Sequence, residues 1–493
     1  MAADISVPGT IRGASVAAGI RSDADLLRIL VVAAGLGCSV LFVVIGLGYG
    51  LQKYADGSAF SYAVAVQDSW AFHWHNISGR LFVYLFSHVP AETYVGLTGD
   101  AHGGIVVYGF LFFAAPLLGL MATFAADRSH GRTIFCYACG STACLCPLVF
   151  GFPTEMWVAH SLFWPALAVC HHARGAGGAA LMFAVLLALV LTHGGALIFA
   201  AAILASLLLR GRRDTAFRRA AAVLLAVISI WLVVKAELPP DDYFAVVLAR
   251  AARHVFDIGI LGDYIIVLLT AALAAYAIGV CLLTRLSPSN AHVYAASIVA
   301  GVLALCWSWF DHALHADDRY GLRTVLIVVA PVIGLIATAH AIVAGRRMDV
   351  SLLSRVMALL TGETASRTVA GAFVLVLLVH AVETAKFVTA WSHYERAVRA
   401  QAMGASSDPA LGDPRFVSSQ RIGADLNRLS WFSTTHFLSV LVAPHFSPAR
   451  LVVDPHANFF WLPCKTSTAS LTAERAIPAQ SRRLIRTYSC LHR

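Results

Sequence analysis

The sequence predicts an all-α polytopic membrane protein of about eleven transmembrane helices, with amphipathic helices on its outer face and a small extracytoplasmic C-terminal region. Three observations lead there. Of 493 residues, 59% are hydrophobic and only 13% are charged, where a soluble chain has about 25% charged residues. The mean hydropathy is +0.74. Apolar runs long enough to cross a hydrocarbon layer of about 30 Å recur with short polar breaks. The net charge of +9 is therefore no nucleic-acid signal. On such a chain, basic groups report orientation first and contact with anionic lipid second.

Residues 1–26 are polar, lack a small-residue cleavage pattern, and form a cytoplasmic N-terminal segment. The spans follow at 27–50, 103–126, 133–151, 157–172, 176–192, 195–210, 219–236, 258–283, 291–310, 322–345 and 368–389. Together they make a transmembrane domain over 27–390 that contains a long first outer loop, 53–102. Pro153, Gly194 and Gly195 mark tight turns among the short spans between 133 and 210. After the last span the chain turns polar. Residues 391–403 continue that helix past the membrane, and 391–493 form the extracytoplasmic region. Arginines fix the orientation: Arg12, Arg21, Arg128, Arg132, Arg174, Arg210, Arg219, Arg285 and Arg346 all fall on one side, which is then cytoplasmic, with the N-terminus inside and the C-terminus outside. The acids Asp56, Asp68, Asp100, Glu155, Asp241, Asp311, Asp317 and Asp318 fall on the other side, so any chemistry belongs to the outer face.

Four outer constellations carry candidate chemistry. The first loop holds Asp56, one turn beyond the first span, then Asp68 before the run Trp70, His73, Trp74, His75 and Arg80. Leu81, Phe82, Tyr84 and Leu85 give one apolar face, suited to a helix lying along the interface. A carboxylate at this level can act as general base on a hydroxyl from the aqueous side; it can equally be a solvated acid or a helix cap. Second, Thr154 and Glu155 face the membrane surface with His160 a turn below. They read as a second acid in the cleft or as a capped helix start. Third, His312, His315, Asp317, Asp318, Arg319 and Arg323 cluster in one loop. The arginine forks suit a phosphate or pyrophosphate. The histidines and aspartates are donor types for a divalent metal, at a spacing that matches no closed motif, and an ordinary loop of internal ion pairs is the alternative. Fourth, Lys235 to Tyr243 contains Pro239 and Pro240, a rigid turn whose acids read as caps.

The C-x2-C-x4-C-x-C run of Cys136, Cys139, Cys144 and Cys146 lies in an apolar span, where small side chains favour close helix packing and thiolates are costly. Cys464 and Cys490 lie in the outer tail and can form a disulfide in an oxidising compartment. His193 and His340 read as hydrogen-bonded packing residues. Glu383 and Lys386 are spaced to pair on one helix face.

This layout resembles the GT-C superfamily of integral-membrane glycosyltransferases, most nearly the bacterial GtrII-like and related families. In these an acidic position soon after the first span precedes a W-x-x-x-G-R-like element. Here that element reads Trp74-His75-Asn76-Ile77-Ser78-Gly79-Arg80, with one more residue between Trp and Gly, and the paired acids are a single Asp56 followed by Gly57. The resemblance implies transfer of a sugar from a polyprenyl-phosphate donor to an envelope glycan, lipid or protein acceptor at the outer face of a bacterial inner membrane. It implies Asp68 or Asp56 as catalytic base. His73, His75, Arg80, Glu155, His160, Asp318, Arg319 and Arg323 would bind substrate. No cofactor is certain, a divalent metal is the one candidate, and membrane lipids are the remaining partners. A secondary transporter is the competing reading; it calls for polar groups at mid-membrane and an internal repeat, and no clear repeat is present. A non-enzymatic envelope-assembly protein, with its basic tail on acidic glycan or anionic lipid, is the third.

Overall fold

Helices account for nearly all of the computed structural model, which describes residues 22–67, 69–72, 77–237, 253, 264–345, 362–404, 416–431 and 434–453. Eight helices are long and apolar enough to cross a membrane: Asp23–Gly48, Ala101–Ala126, His130–Val149, Thr215–Glu237, Ile266–Leu283, Ala291–Trp309, Ala316–Ala344 and Glu363–Met403. Glu155–His172, Gly175–Val190 and Ala196–Leu208 lie on three further predicted spans but are shorter or more polar. The chain is thus a multi-pass helical membrane protein. Large side chains such as Val44, Met121, Leu225, Leu273 and Leu378 are exposed on these helices, as a surface that meets lipid rather than water requires.

Local chemistry sets the helix ends. Ser22 caps the first span by accepting from the Asp25 N–H, and Asp100 caps Ala101–Ala126 by accepting from Gly103 at 2.9 Å. Thr154 caps Glu155–His172, taking the Met156 N–H at 3.4 Å. That helix is the centre of the bundle. Trp157, Trp164 and Phe163 are fully buried along it, and Gly119 of Ala101–Ala126 lies directly on the Ser161 backbone, where any Cβ would collide. Gly35 meets Cys139 in the same way. The six cysteines from Cys38 to Cys170 are all free, and Cys139 of the C-x2-C-x4-C-x-C run takes part in this close helix contact.

The two ends of the bundle differ in chemistry. At one end Arg28 donates to the Gly131 carbonyl, Arg210 to His171 O at 2.8 Å, Arg219 to Ala173 O at 3.0 Å, and Arg367 pairs with Asp23 at 2.5 Å. Asp127 sits there, buried. It accepts from the Ser129 and Phe135 N–H groups and lies 3.4 Å from His172. The other end carries the first loop. Ile77–Val83, a π-helical turn Tyr84–His88 and Val89–Thr98 run on from one another with a bend at Arg80. The Phe82 N–H bonds the Leu191 carbonyl at 3.1 Å and anchors this run to the end of Gly175–Val190.

The last long helix, Glu363–Met403, continues well beyond residue 389, as its sequence predicts. The C-terminal region returns over the same end of the bundle. Its two strands, Phe416–Ser418 and Leu451–Val453, pair in parallel, and Thr435–Val442 is a buried helix between them. Asp68, His73, His75, Asp241, Cys464 and Cys490 lie outside the described residues.

Candidate functional site

The site is built on a turn that the backbone is forced to make. Ala55 has φ +50°, an uncommon conformation for a residue with a side chain. The turn is held from outside: Thr434 Oγ1 donates to the Ala55 carbonyl at 2.9 Å, and Ser58 Oγ reaches the Ala55 and Thr434 carbonyls at 2.8 and 3.0 Å. Strain of this kind persists only where surrounding contacts overdetermine it, and it concentrates at functional positions. Asp56 follows at once, opening helix Asp56–Ala65. Gly57 has no room for a side chain, because a Cβ there would lie 2.5 Å from Pro153 Cγ and nearer still to the Gln52 carbonyl. This close approach explains why a second acid does not follow Asp56.

Asp56 is half-buried as a residue, and its carboxyl is the enclosed part of it. Burial, reinforced by the negative Glu155, raises its pKa from 3.8 to about 6; Arg80, Arg323 and a hydrogen bond from the Trp431 indole act the other way. Arg80 Nη1 pairs with Glu155 Oε1 at 2.9 Å. Arg323 stacks on Tyr320, 3.5 Å from guanidinium carbon to ring centroid. Tyr320 packs on Trp431 at 4.8 Å between centroids, and Phe152 packs on both. The cluster around Asp56 thus has aromatic neighbours, two carboxylates and two guanidinium groups.

Three further groups join it. His193, on the turn after Gly175–Val190, accepts from Gly195 N at 3.0 Å. Its ring is held down to about 4 by burial, with Arg80 adding to the effect, so it is neutral at pH 7. Its hydrogen bond fits the reading as a packing histidine, and it also lies within electrostatic reach of Arg80, Glu155 and Arg323. Lys235, near the end of Thr215–Glu237, lies within electrostatic reach of both Arg80 and His193. His88 is buried beside Phe60 and Tyr108 behind the cleft, and burial brings it to about 4.

The sequence candidates therefore separate. Asp56, Arg80, Glu155 and Arg323 come together. Glu155 is at once the first residue of a Thr154-capped helix and a cleft acid. Arg319 turns away: it is buried, donates to the Phe150 carbonyl and lies over the Phe387 ring at 4.0 Å. Asp318 bonds His312 at 2.8 Å. His160 is enclosed among helices, 2.9 Å from Ser141 Oγ and 3.6 Å from Cys146 Sγ. Among the described residues, no three His, Cys, Asp or Glu side chains gather as a metal site, those of the 312–318 loop included. Trp431 is the member that sequence reasoning missed, while Lys235 and His193 were singled out there in other roles.

Chemically, the cluster offers a carboxylate more basic than usual within reach of cationic groups. That arrangement can take a proton from a hydroxyl while stabilising an anionic leaving group. No known protein-family model matches the chain, and no characterised protein matches its sequence.

Proposed function

We propose that the chain is a glycosyltransferase that uses a polyprenyl-phosphate sugar. The observation that carries the reading is the clustering of Asp56, Glu155, Arg80 and Arg323 within electrostatic reach of one another, at the end of the bundle opposite the arginine-rich end. With the arginine-rich end cytoplasmic, that cluster lies at the outer face of a bacterial inner membrane, and the count of spans is eleven.

In the proposed reaction an acceptor hydroxyl enters beside Asp56. At neutral pH a carboxyl with a pKa of about 6 is mostly ionised and still a stronger base than an ordinary carboxylate. It takes the hydroxyl proton as the acceptor oxygen bonds to the anomeric carbon. The bond from that carbon to the phosphate oxygen breaks, and the polyprenyl phosphate leaves with the electron pair. One displacement inverts the anomeric centre. Arg80, Arg323 and Lys235 receive the phosphate charge. Glu155 orients Arg80 through their ion pair, and the Tyr320–Trp431 wall offers an apolar face to the sugar ring.

The test supplies membranes containing the expressed chain with polyprenyl-phosphate hexoses labelled in the sugar, and measures label in extracted envelope material. Wild-type and Asp68→Asn membranes are expected to transfer label, and Asp56→Asn membranes are not. Transfer by Asp56→Asn at the wild-type rate would remove the proposal.

A further inference from the structure

A separate cavity lies on another side of the Asp56 turn. It has a volume of about 660 Å³, within the range of small-molecule sites. Asp56, Glu155, Arg80 and Arg323 do not line it. Its walls come from four parts of the chain: the end of the first span, the start of Ala101–Ala126, the extension of Glu363–Met403, and residues 441–444.

Three features define what fits. The first is charge. Lys53 pairs with Glu395, and Arg399 Nη2 lies 4.0 Å from the same carboxylate. Two cations against one anion leave the cavity with a net positive charge, suited to one negative charge on a ligand. The second is a buried acceptor. Gln52 lines the cavity and is 5% exposed, and its Oε1 is buried with no hydrogen-bond partner among the described residues. Its side chain is wedged against Gly109, where a Cβ would come within 2.9 Å of Gln52 Cβ, so it has little freedom to turn elsewhere. A buried acceptor left without a donor is costly, and a ligand hydroxyl would satisfy it. The third is the lower wall. Leu47, Ile105 and Val106 belong to two spanning helices, and Val106 is 48% exposed, so this wall runs on into the lipid-facing surface.

We infer that this cavity binds the head group of an anionic phospholipid that bears a free hydroxyl, with its acyl chains descending along Leu47 and Val106. The phosphate takes Arg399 and Lys53, and the hydroxyl donates to Gln52. The site is independent of the glycosyl-transfer reading.

The experiment is native mass spectrometry of the full chain in detergent, titrated with four probes: dioleoyl phosphatidylglycerol, phosphatidylmethanol of the same charge without the hydroxyl, zwitterionic phosphatidylcholine, and soluble glycerol phosphate. The quantity read is the difference between wild type and variant, which cancels lipid held by the arginines of the opposite end. Phosphatidylglycerol is expected to bind best. Arg399→Gln, at a side chain that is 56% exposed and so no threat to folding, is expected to weaken it roughly tenfold. Gln52→Met keeps the shape and is expected to abolish the preference over phosphatidylmethanol. Asp56→Asn is expected to bind as wild type does. Equal binding of phosphatidylglycerol by wild type and Arg399→Gln would overturn the inference. So would wild-type indifference between the glycerol and methyl or choline lipids. Soluble glycerol phosphate binding as tightly as the lipid would assign the cavity to a water-borne phosphate ester and overturn the lipid claim.

Discussion

Asp56→Asn is the most informative single substitution. It keeps the shape of the side chain and an oxygen to accept from the Trp431 indole, and removes only the base. General-base catalysis contributes about 10²–10⁴-fold, and sugar transfer should fall by that much. The pH profile carries the structural signature. A carboxyl with a pKa of about 6 is about 97% ionised at pH 7.5 and about 9% at pH 5, so wild-type transfer should fall roughly tenfold between them. Glu155 raises this pKa and Arg80 lowers it. Glu155→Gln should therefore move the acid limb to lower pH, and Arg80→Gln to higher pH. The assay is initial-rate transfer of labelled sugar in reconstituted vesicles from pH 4.5 to 8. An acid limb that neither variant moves would refute the assignment of Asp56 as base, whatever the rates.

Other consequences are structural. Because the folded-state pKa of Asp56 lies above its ordinary value, its contribution to stability is present below about pH 4 and lost as the pH rises through about 6. Asp56→Asn should raise the thermal midpoint at pH 7.5, by up to about 3 kcal/mol in stability, and leave it unchanged at pH 4, as read by detergent-phase thermal melting. Asp127 is the opposite case. Its hydrogen bonds to His172 and Ser129 and to backbone N–H groups overcome its burial and hold it down to about 2; that stability is present above pH 4 and lost as the pH falls toward 2, and Asp127→Ala should cost about 3 kcal/mol at pH 7 without shifting the acid limb of activity. Gly57→Ala forces a methyl against Pro153 and the Gln52 carbonyl, and should lower both thermal stability, by about 1–3 kcal/mol, and transfer. Arg319→Gln, which orphans the Phe150 carbonyl inside the bundle, should lower folded yield, whereas Arg323→Gln should leave folded yield intact and weaken the binding of polyprenyl phosphate.

The apolar helices were legible because lipid imposes one rule on every span, and composition alone carries it. The Thr154–Glu155 helix start was equally local: a cap and a first-turn acid are neighbours in sequence. The extension of Glu363–Met403 beyond residue 389 fits the expectation that residues 391–403 continue the last helix. The site was legible only where its members belong to dense polar loops, as Asp56, Arg80, Glu155 and Arg323 do. Arg319 and Arg323 look alike in sequence, one helical turn apart. Both lie on the Ala316–Ala344 helix, and they differ in what each side chain meets: Arg319 the Phe150 carbonyl and the Phe387 ring, Arg323 the Tyr320 ring. Trp431 had no local signal, because its role arises from packing across some 375 residues of chain, and Lys235, which opens the fourth outer constellation, meets the cluster through Arg80, some 155 residues earlier. His193 is a lone histidine in an apolar stretch, where a packing role is the ordinary expectation. Gly57 is the instructive departure. Sequence reasoning took it as a missing second acid, and the structure makes it a contact point between two chain segments.

The most direct test of the central claim is a cryo-electron microscopy structure of the full chain with a polyprenyl-phosphate hexose. The account predicts the phosphate among Arg80, Arg323 and Lys235, with the anomeric carbon turned toward the Asp56 carboxylate. A phosphate bound at the arginine-rich end, or a sugar in the cleft with its anomeric carbon on the far side from Asp56, would contradict it.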